Sequence, residues 1–270
     1  MTGLFVFRFL IASLISLPPD ACQYIYVVHI TSVDNWTSLG RTSATAHVEQ
    51  TSTADGWVYL PTGLEKIANC VTHLPFIPVS VYLAASLINK TRTSTELLVA
   101  GVYGFALISL FGASSAYHVC TLFSATSRCS DLLQYFDRLV IFVFIAASYT
   151  PWLVLREFEM DIGLLTLKAI WTTALGGAVY QYFCRKKWRL LSLIFYLTIG
   201  VLPAISVAYL KDLSGIRIVA LGGLTYVTGT IFFKMDGVIP MAHAIWHCFV
   251  ALAAYIHFAA IDHYLYSHLI

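Results

Sequence analysis

Residues 238–261 read VIPMAHAIWHCFVALAAYIHFAAI, without one Asp, Glu, Lys or Arg. Crossing about 30 Å of hydrocarbon takes roughly 20 predominantly apolar residues, so this stretch is long enough to span a bilayer. Within it His243 and His247 stand four positions apart, which places them on one face of a helix. Ionisable groups at membrane depth are expensive and rarely face lipid. The stretch therefore predicts a membrane helix and also neighbours for its two imidazoles.

Working outward, similar apolar runs occupy about 67–88, 97–118, 133–154, 162–184, 190–210 and 216–233. The predicted fold class is all-α, a polytopic membrane protein with a seven-transmembrane-helix bundle over 64–266. A short C-terminal tail, 267–270, follows. Composition agrees: of 270 residues, 59% are hydrophobic and 11% charged, with mean hydropathy +0.76. Soluble domains carry roughly 25% charged residues, so this composition excludes most of them, along with disordered chains and coiled coils. Continuous rather than alternating apolar runs exclude a membrane β-barrel. A net charge of +2 from scattered basic residues gives no case for a nucleic-acid partner. The six cysteines form no C-x-x-C pair and read as small packing residues.

Residues 1–63 form an N-terminal leader or tail of mixed character. LFVFRFLIASLISL at 4–17 reads as a signal-peptide core, an interfacial helix or an atypical leader. Residues 31–55 are rich in Ser and Thr and read as a flexible tail. The densest basic cluster, Arg185, Lys186, Lys187 and Arg189, puts its loop in the cytoplasm by the positive-inside rule. Asn35-Trp36-Thr37 is a glycosylation acceptor only under the inverted topology.

In an antiparallel bundle, the starts of odd spans and the ends of even spans share one face. Glu65, Asn69 and His73 open the first span, Ser114 and His118 close the second, Asp137 opens the third, and His243 and His247 open the seventh. All eight fall on one side, which charge bias makes cytoplasmic. Two imidazoles one turn apart can reach a single ion, and His118 from another helix would be a third ligand. Three protein ligands with an open fourth position is the pattern of a catalytic zinc, whereas structural sites are usually closed by four. Blander readings stand beside this one. Membrane histidines often serve as hydrogen-bonded packing residues, Asp137 has Arg138 or Arg128 to pair with, and Ser114 can bond its own helix backbone. Glu65 suits a helix start, and His73 suits a polar contact between helices. His257, His263 and His268 read as interfacial at the opposite end. No G-x-S-x-G, P-loop or H-E-x-x-H pattern is present.

LEKIANCVTH (64–73), SSAYH (114–118), FDRLVIFVFIAASYTPW (136–152) and FFKMDGVIPMAHAIWHCFVALAAYIHF (232–258) carry a resemblance. The chain resembles the progestin and adipoQ receptor family, related to bacterial hemolysin III-like proteins, and within it the monocyte to macrophage differentiation factor branch. The likeness runs from about Leu64 to about Tyr266, and the first 63 residues stand outside it. It implies seven helices with a cytoplasmic N-terminus, and zinc held by His118, His243 and His247 near the cytoplasmic leaflet. It matches the family's serine and aspartate beside the metal to Ser114 and Asp137. Related receptors and ceramidases imply hydrolysis of a ceramide-like lipid amide, with Asp137 moving protons and Ser114 orienting water or the oxyanion. The branch itself implies Golgi, late endosomal or lysosomal membranes and a signalling role. A non-catalytic scaffold with structural zinc, and a proton- or ion-conducting bundle, remain alternative functions at this point.

Overall fold

The computed structural model describes residues 50–53, 56–123, 128–183 and 189–267. The expectations for the leader at 4–17, for Asn35, for Arg185, Lys186 and Lys187, and for His268 lie outside these residues. A short antiparallel hairpin joins β1 (Gln50–Thr53) to β2 (Gly56–Tyr59), with Gln50 opposite Tyr59. Residues 50–53, expected to belong to a flexible tail, thus carry local strand pairing.

The first span, Gly63–Asn89, is built from two helices, α1 (Gly63–His73) and α2 (Phe76–Asn89). Thr62 and Glu65 form a capping box that starts α1, satisfying donors that the first turn leaves free. Pro75 and Pro78 cause the break between the helices, because neither can donate a backbone hydrogen bond. The Leu74 carbonyl instead accepts from Ile77 at 3.3 Å. The second to fourth spans are single helices: α3 (Ser94–Phe123), α4 (Arg128–Leu155) and α5 (Ile162–Phe183). The fifth begins as α6 (Arg189–Val201) and, at Pro203, tightens into a 3-10 helix over Leu202–Tyr209. Helix α7 (Ile216–Lys234) is the sixth span, and α8 (Ala242–Ile261) is the seventh, ending in a π-turn over Asp262–Tyr266. Among the described residues, six spans are long and apolar enough to cross a membrane, and the apolar part of the fifth, Leu193–Tyr209, is shorter. The protein is a polytopic seven-helix bundle.

The seventh helix starts later than the 238 expected from apolarity. Lys234 ends α7, and a turn follows in which Val238 and Ile239 donate to the Met235 carbonyl. Gly237 and Met241 both adopt positive φ, at 82° and 62°. Pro240 therefore sits in the turn rather than the helix, and His243 lies in the first turn of α8.

Leu107, Phe111, Phe144, Val250 and Ala254 lie at the heart of one core cluster, while Phe142, Ala146, Ile170, Ala174 and Ile199 form a second. The outer rim exposes Leu98, Phe105, Leu165 and Leu175, as a surface solvated by lipid requires. The glycine pairs Gly176-Gly177 and Gly222-Gly223 each place one member against a neighbouring helix. A Cβ on Gly177 would lie 2.4 Å from the Phe142 ring, and one on Gly222 would lie 2.6 Å from His257. Gly176 and Gly223 face open space.

That asymmetry gives a direct check. Gly177→Ala must displace the Phe142 ring and cost about 1–3 kcal/mol, the usual range for overpacking. Gly176→Ala meets no neighbour and leaves stability unchanged or slightly improved. Thermal melts in detergent read the difference; equal Tm values for the two variants contradict this packing.

Candidate metal centre

Two helix ends deliver the three imidazoles. His118 sits near the end of α3, while His243 and His247 lie one turn apart at the start of α8. Ring centroids are 5.2 Å apart for His118 and His243, 4.8 Å for His118 and His247, and 4.6 Å for His243 and His247. One ligand nitrogen from each lies within 4.8 Å of the others, close enough to hold a metal ion. His118 and His247 are buried, and His243 is partly exposed.

Neighbouring groups determine which nitrogens are free. Thr72 Oγ1 lies 3.0 Å from His247 Nδ1, and also within 2.9 Å of the Ala68 carbonyl and 3.1 Å of the Asn69 carbonyl. A hydroxyl has one proton, and here it goes to the α1 backbone, so His247 Nδ1–H donates to Thr72. That tautomer leaves the Nε2 lone pair available. Asp236 Oδ2 stands 3.4 Å from His243 Nδ1, an ion-pair distance, although Nδ1 makes no hydrogen bond among the described residues. His118 Nε2 is buried and finds no partner among the described residues. An acceptor nitrogen abandoned in an apolar bundle costs about 1–3 kcal/mol, so the donor set fits a cation. Imidazoles held from behind by a carboxylate or hydroxyl are the usual setting of metal ligands.

A second chain of contacts adjoins the trio. The His73 ring stacks on His247 with centroids 3.8 Å apart. His73 Nδ1 lies 2.8 Å from Ser114 Oγ, and the Ser114 side chain also hydrogen-bonds Asp137. A carboxylate only accepts, so Ser114 gives its proton to Asp137 and accepts from His73 Nδ1–H. His73 Nε2 is thereby a buried acceptor with no partner among the described residues. Ser114 bonds across helices rather than to its own backbone.

Comparison with known proteins identifies the family. A family model described as haemolysin-III related matches residues 64–258. The chain belongs to that family. Human monocyte to macrophage differentiation factor is 41% identical over 212 residues, covering 77% of this chain and 87% of its own length. A hemolysin-3 homolog of Bacillus subtilis is 36% identical over 193 residues, and a hemolysin-3 of Bacillus cereus is 30% identical. They cover 69% of this chain and, respectively, 87% and 85% of their own lengths.

In this haemolysin-III-related chain Glu65 does more than start a helix. Its carboxylate accepts from Thr62 N–H at 2.8 Å and, through the other oxygen, from Met241 N–H at 3.1 Å. Tyr59 donates to it as well. One buried carboxylate thus ties the start of α1 to the start of α8, where Met241 has no side-chain cap of its own. Asn69 is buried, with Oδ1 unpartnered among the described residues. All eight residues singled out in the sequence lie at one end of the bundle. Thr72 and Asp236 were missed, although Thr72 precedes His73 directly and Asp236 lies seven positions before His243. The expectation for His257 also needs correction: it is buried against Gly222 on α7 rather than interfacial.

Removing the Glu65 carboxylate strands two backbone donors. Glu65→Ala is expected to lower stability by about 1.5–3 kcal/mol, the range for hydrogen bonds to a charged group. Gln at the same position recovers part of the loss through its amide oxygen. A thermal melt showing Glu65→Ala indistinguishable from wild type contradicts the tie between the first and seventh spans.

Proposed function

We propose that this chain is an intramembrane zinc protein of the haemolysin-III-related family that hydrolyses a ceramide-like lipid amide and acts in membrane signalling. The observation that carries the reading is the convergence of His118, His243 and His247 with the His73–Ser114–Asp137 chain beside them. His118, His243 and His247 would hold the zinc, which supplies Lewis-acid activation of water and of a carbonyl when bound. Three histidines leave a fourth position for the reacting group.

The remaining steps belong to the chain's own side chains. Asp137 accepts a proton from the attacking water and returns one to the leaving amine. Ser114 commits its hydroxyl proton to that carboxylate and so fixes where Asp137 points. His73 holds Ser114 from the other side, which makes it a positioning residue. This arrangement leaves Ser114 no proton to give to a developing oxyanion. At the charge-biased cytoplasmic side, the site would meet a lipid entering sideways with its amide near headgroup depth. Golgi, late endosomal or lysosomal membranes are the proposed location.

Metal analysis of the purified protein tests the ligand set. Wild type should carry about one zinc per chain, and His118→Ala and His247→Ala should lose it. Thr72→Val keeps the shape but removes the hydroxyl behind His247, and should weaken zinc binding about 10–100-fold. Thr72→Ser should restore it. Asp137→Asn should keep the zinc and lower ceramide turnover about 10²–10⁴-fold. Metal-free wild type overturns the zinc assignment. Loaded wild type without ceramide turnover overturns the hydrolase and leaves a structural metal in a membrane scaffold.

A further inference from the structure

A second concentration of unpartnered polar atoms lies at the other end of the bundle. There the fifth span abandons α-helical geometry at Pro203, and the Ser206 hydroxyl donates to the Pro203 carbonyl at 2.6 Å. Irregular backbone within a membrane protein is tolerated where it lines a cavity or is buried in protein. Here it lines one. A cavity of about 40 Å³ lies among Ser148, Trp152, Phe158, Ser206, Leu210 and His257. A single water needs roughly 10–15 Å³ by the same measure, so the space exceeds one water. Its roof is the bridge between Phe158 and Leu210, fastened by Glu159 N–H to the Tyr209 carbonyl and Lys211 N–H to the Glu157 carbonyl.

Trp152 and His257 are 5% and 8% exposed, and Trp152 Nε1 and His257 Nδ1 find no partner among the described residues. Their surroundings orient them. A Cβ on Gly215 would lie 2.8 Å from the far corner of the Trp152 six-membered ring, and one on Gly222 would meet the Cδ2–Nε2 edge of His257. The Cδ2–Nε2 edge of His257 thus faces α7, and Nδ1 lies on the opposite edge of the ring. Tyr226 packs against His257 with ring centroids 5.7 Å apart, and its hydroxyl is also unpartnered among these residues. No Asp, Glu, Lys or Arg lines the cavity. Arg156 lies 5.8 Å from the Trp152 ring, but its terminal nitrogens are taken by Asp212, Ser214 and the Tyr264 carbonyl.

We propose that this cavity binds the head of a neutral, hydroxyl-bearing amphiphile taken from the surrounding lipid. A hydroxyl oxygen accepts from Trp152 Nε1–H, and the same group exchanges a second hydrogen bond with His257 Nδ1. Ser148 and Ser206 spend their protons on the Ile145 and Pro203 carbonyls, so toward a ligand they only accept. A carboxylate or phosphate would bring charge with no cation to receive it, which is costly in this setting. The site is independent of the proposed zinc centre.

Photolabelling of the purified full-length protein with a long-chain alcohol bearing a diazirine near its hydroxyl tests this. Labelling should be saturable, should map to 148–158 or 202–210, and should be displaced by dodecanol but not by dodecanoate or dodecyl phosphate. Val207→Phe, which fills the cavity, should abolish saturable labelling while leaving the metal content of the protein unchanged. Trp152→Phe should weaken it about tenfold, the loss of one hydrogen-bond donor, and serves if Val207→Phe does not fold. Labelling spread evenly over lipid-facing helices, equal displacement by dodecanoate, or saturable labelling of undiminished affinity in Trp152→Phe overturns the proposal. Absence of saturable labelling means that water alone fills the space and overturns it equally.

Discussion

A buried imidazole nitrogen in an apolar bundle has to be satisfied, and that requirement organises this protein. Hydrocarbon offers no hydrogen-bond partner, and an unmade bond inside a protein costs more than a made one contributes. His73, His118, His243 and His247 can therefore be accommodated together more cheaply than apart. Each lies near a helix end, so a few turns of three spans suffice to bring them into one pocket. The rest of the bundle, with its Leu, Phe and Ala core, holds those ends in register.

Backbone detail at these ends does as much as the ligand residues. Glu65 bonds the starts of α1 and α8 together, so the span bearing Thr72 and His73 is held against the span bearing His243 and His247. The positive-φ turn through Gly237 and Met241 delays α8 until Ala242, which leaves Asp236 beside the His243 ring. Thr72 then holds the His247 ring from behind, and Asp236 stands beside His243. The His73–Ser114–Asp137 chain runs alongside, with one proton direction consistent throughout. The proposed proton-transfer role of Asp137 calls for that kind of single-valued arrangement.

Much of this was legible in the chain because apolar run length and antiparallel parity are strong constraints. Seven spans, and the shared end for Glu65, Ser114, His118, Asp137 and the α8 histidines, follow from those two facts. Contacts between helices were not legible. Nothing in spacing reveals that Thr72 faces His247, or that Ser114 turns from its own backbone to His73 and Asp137. Nor does apolarity locate the start of α8, since Val238 and Ile239 are as apolar in a turn as in a helix. His257 was misjudged for a related reason: position along a span does not tell which face a residue occupies. Gly222, which admits its ring, was the available signal.

The two ends of the bundle thus differ in chemistry. One gathers imidazole nitrogens close enough to hold a cation beside the Asp137 carboxyl group, and the other gathers neutral donors around a 3-10 segment. Zinc K-edge absorption spectroscopy of the purified protein tests the central claim most directly. The account predicts three imidazole nitrogens at about 2.0–2.1 Å and one further oxygen in a four-coordinate shell. Sulfur scattering, or a shell closed by four imidazoles, would contradict it.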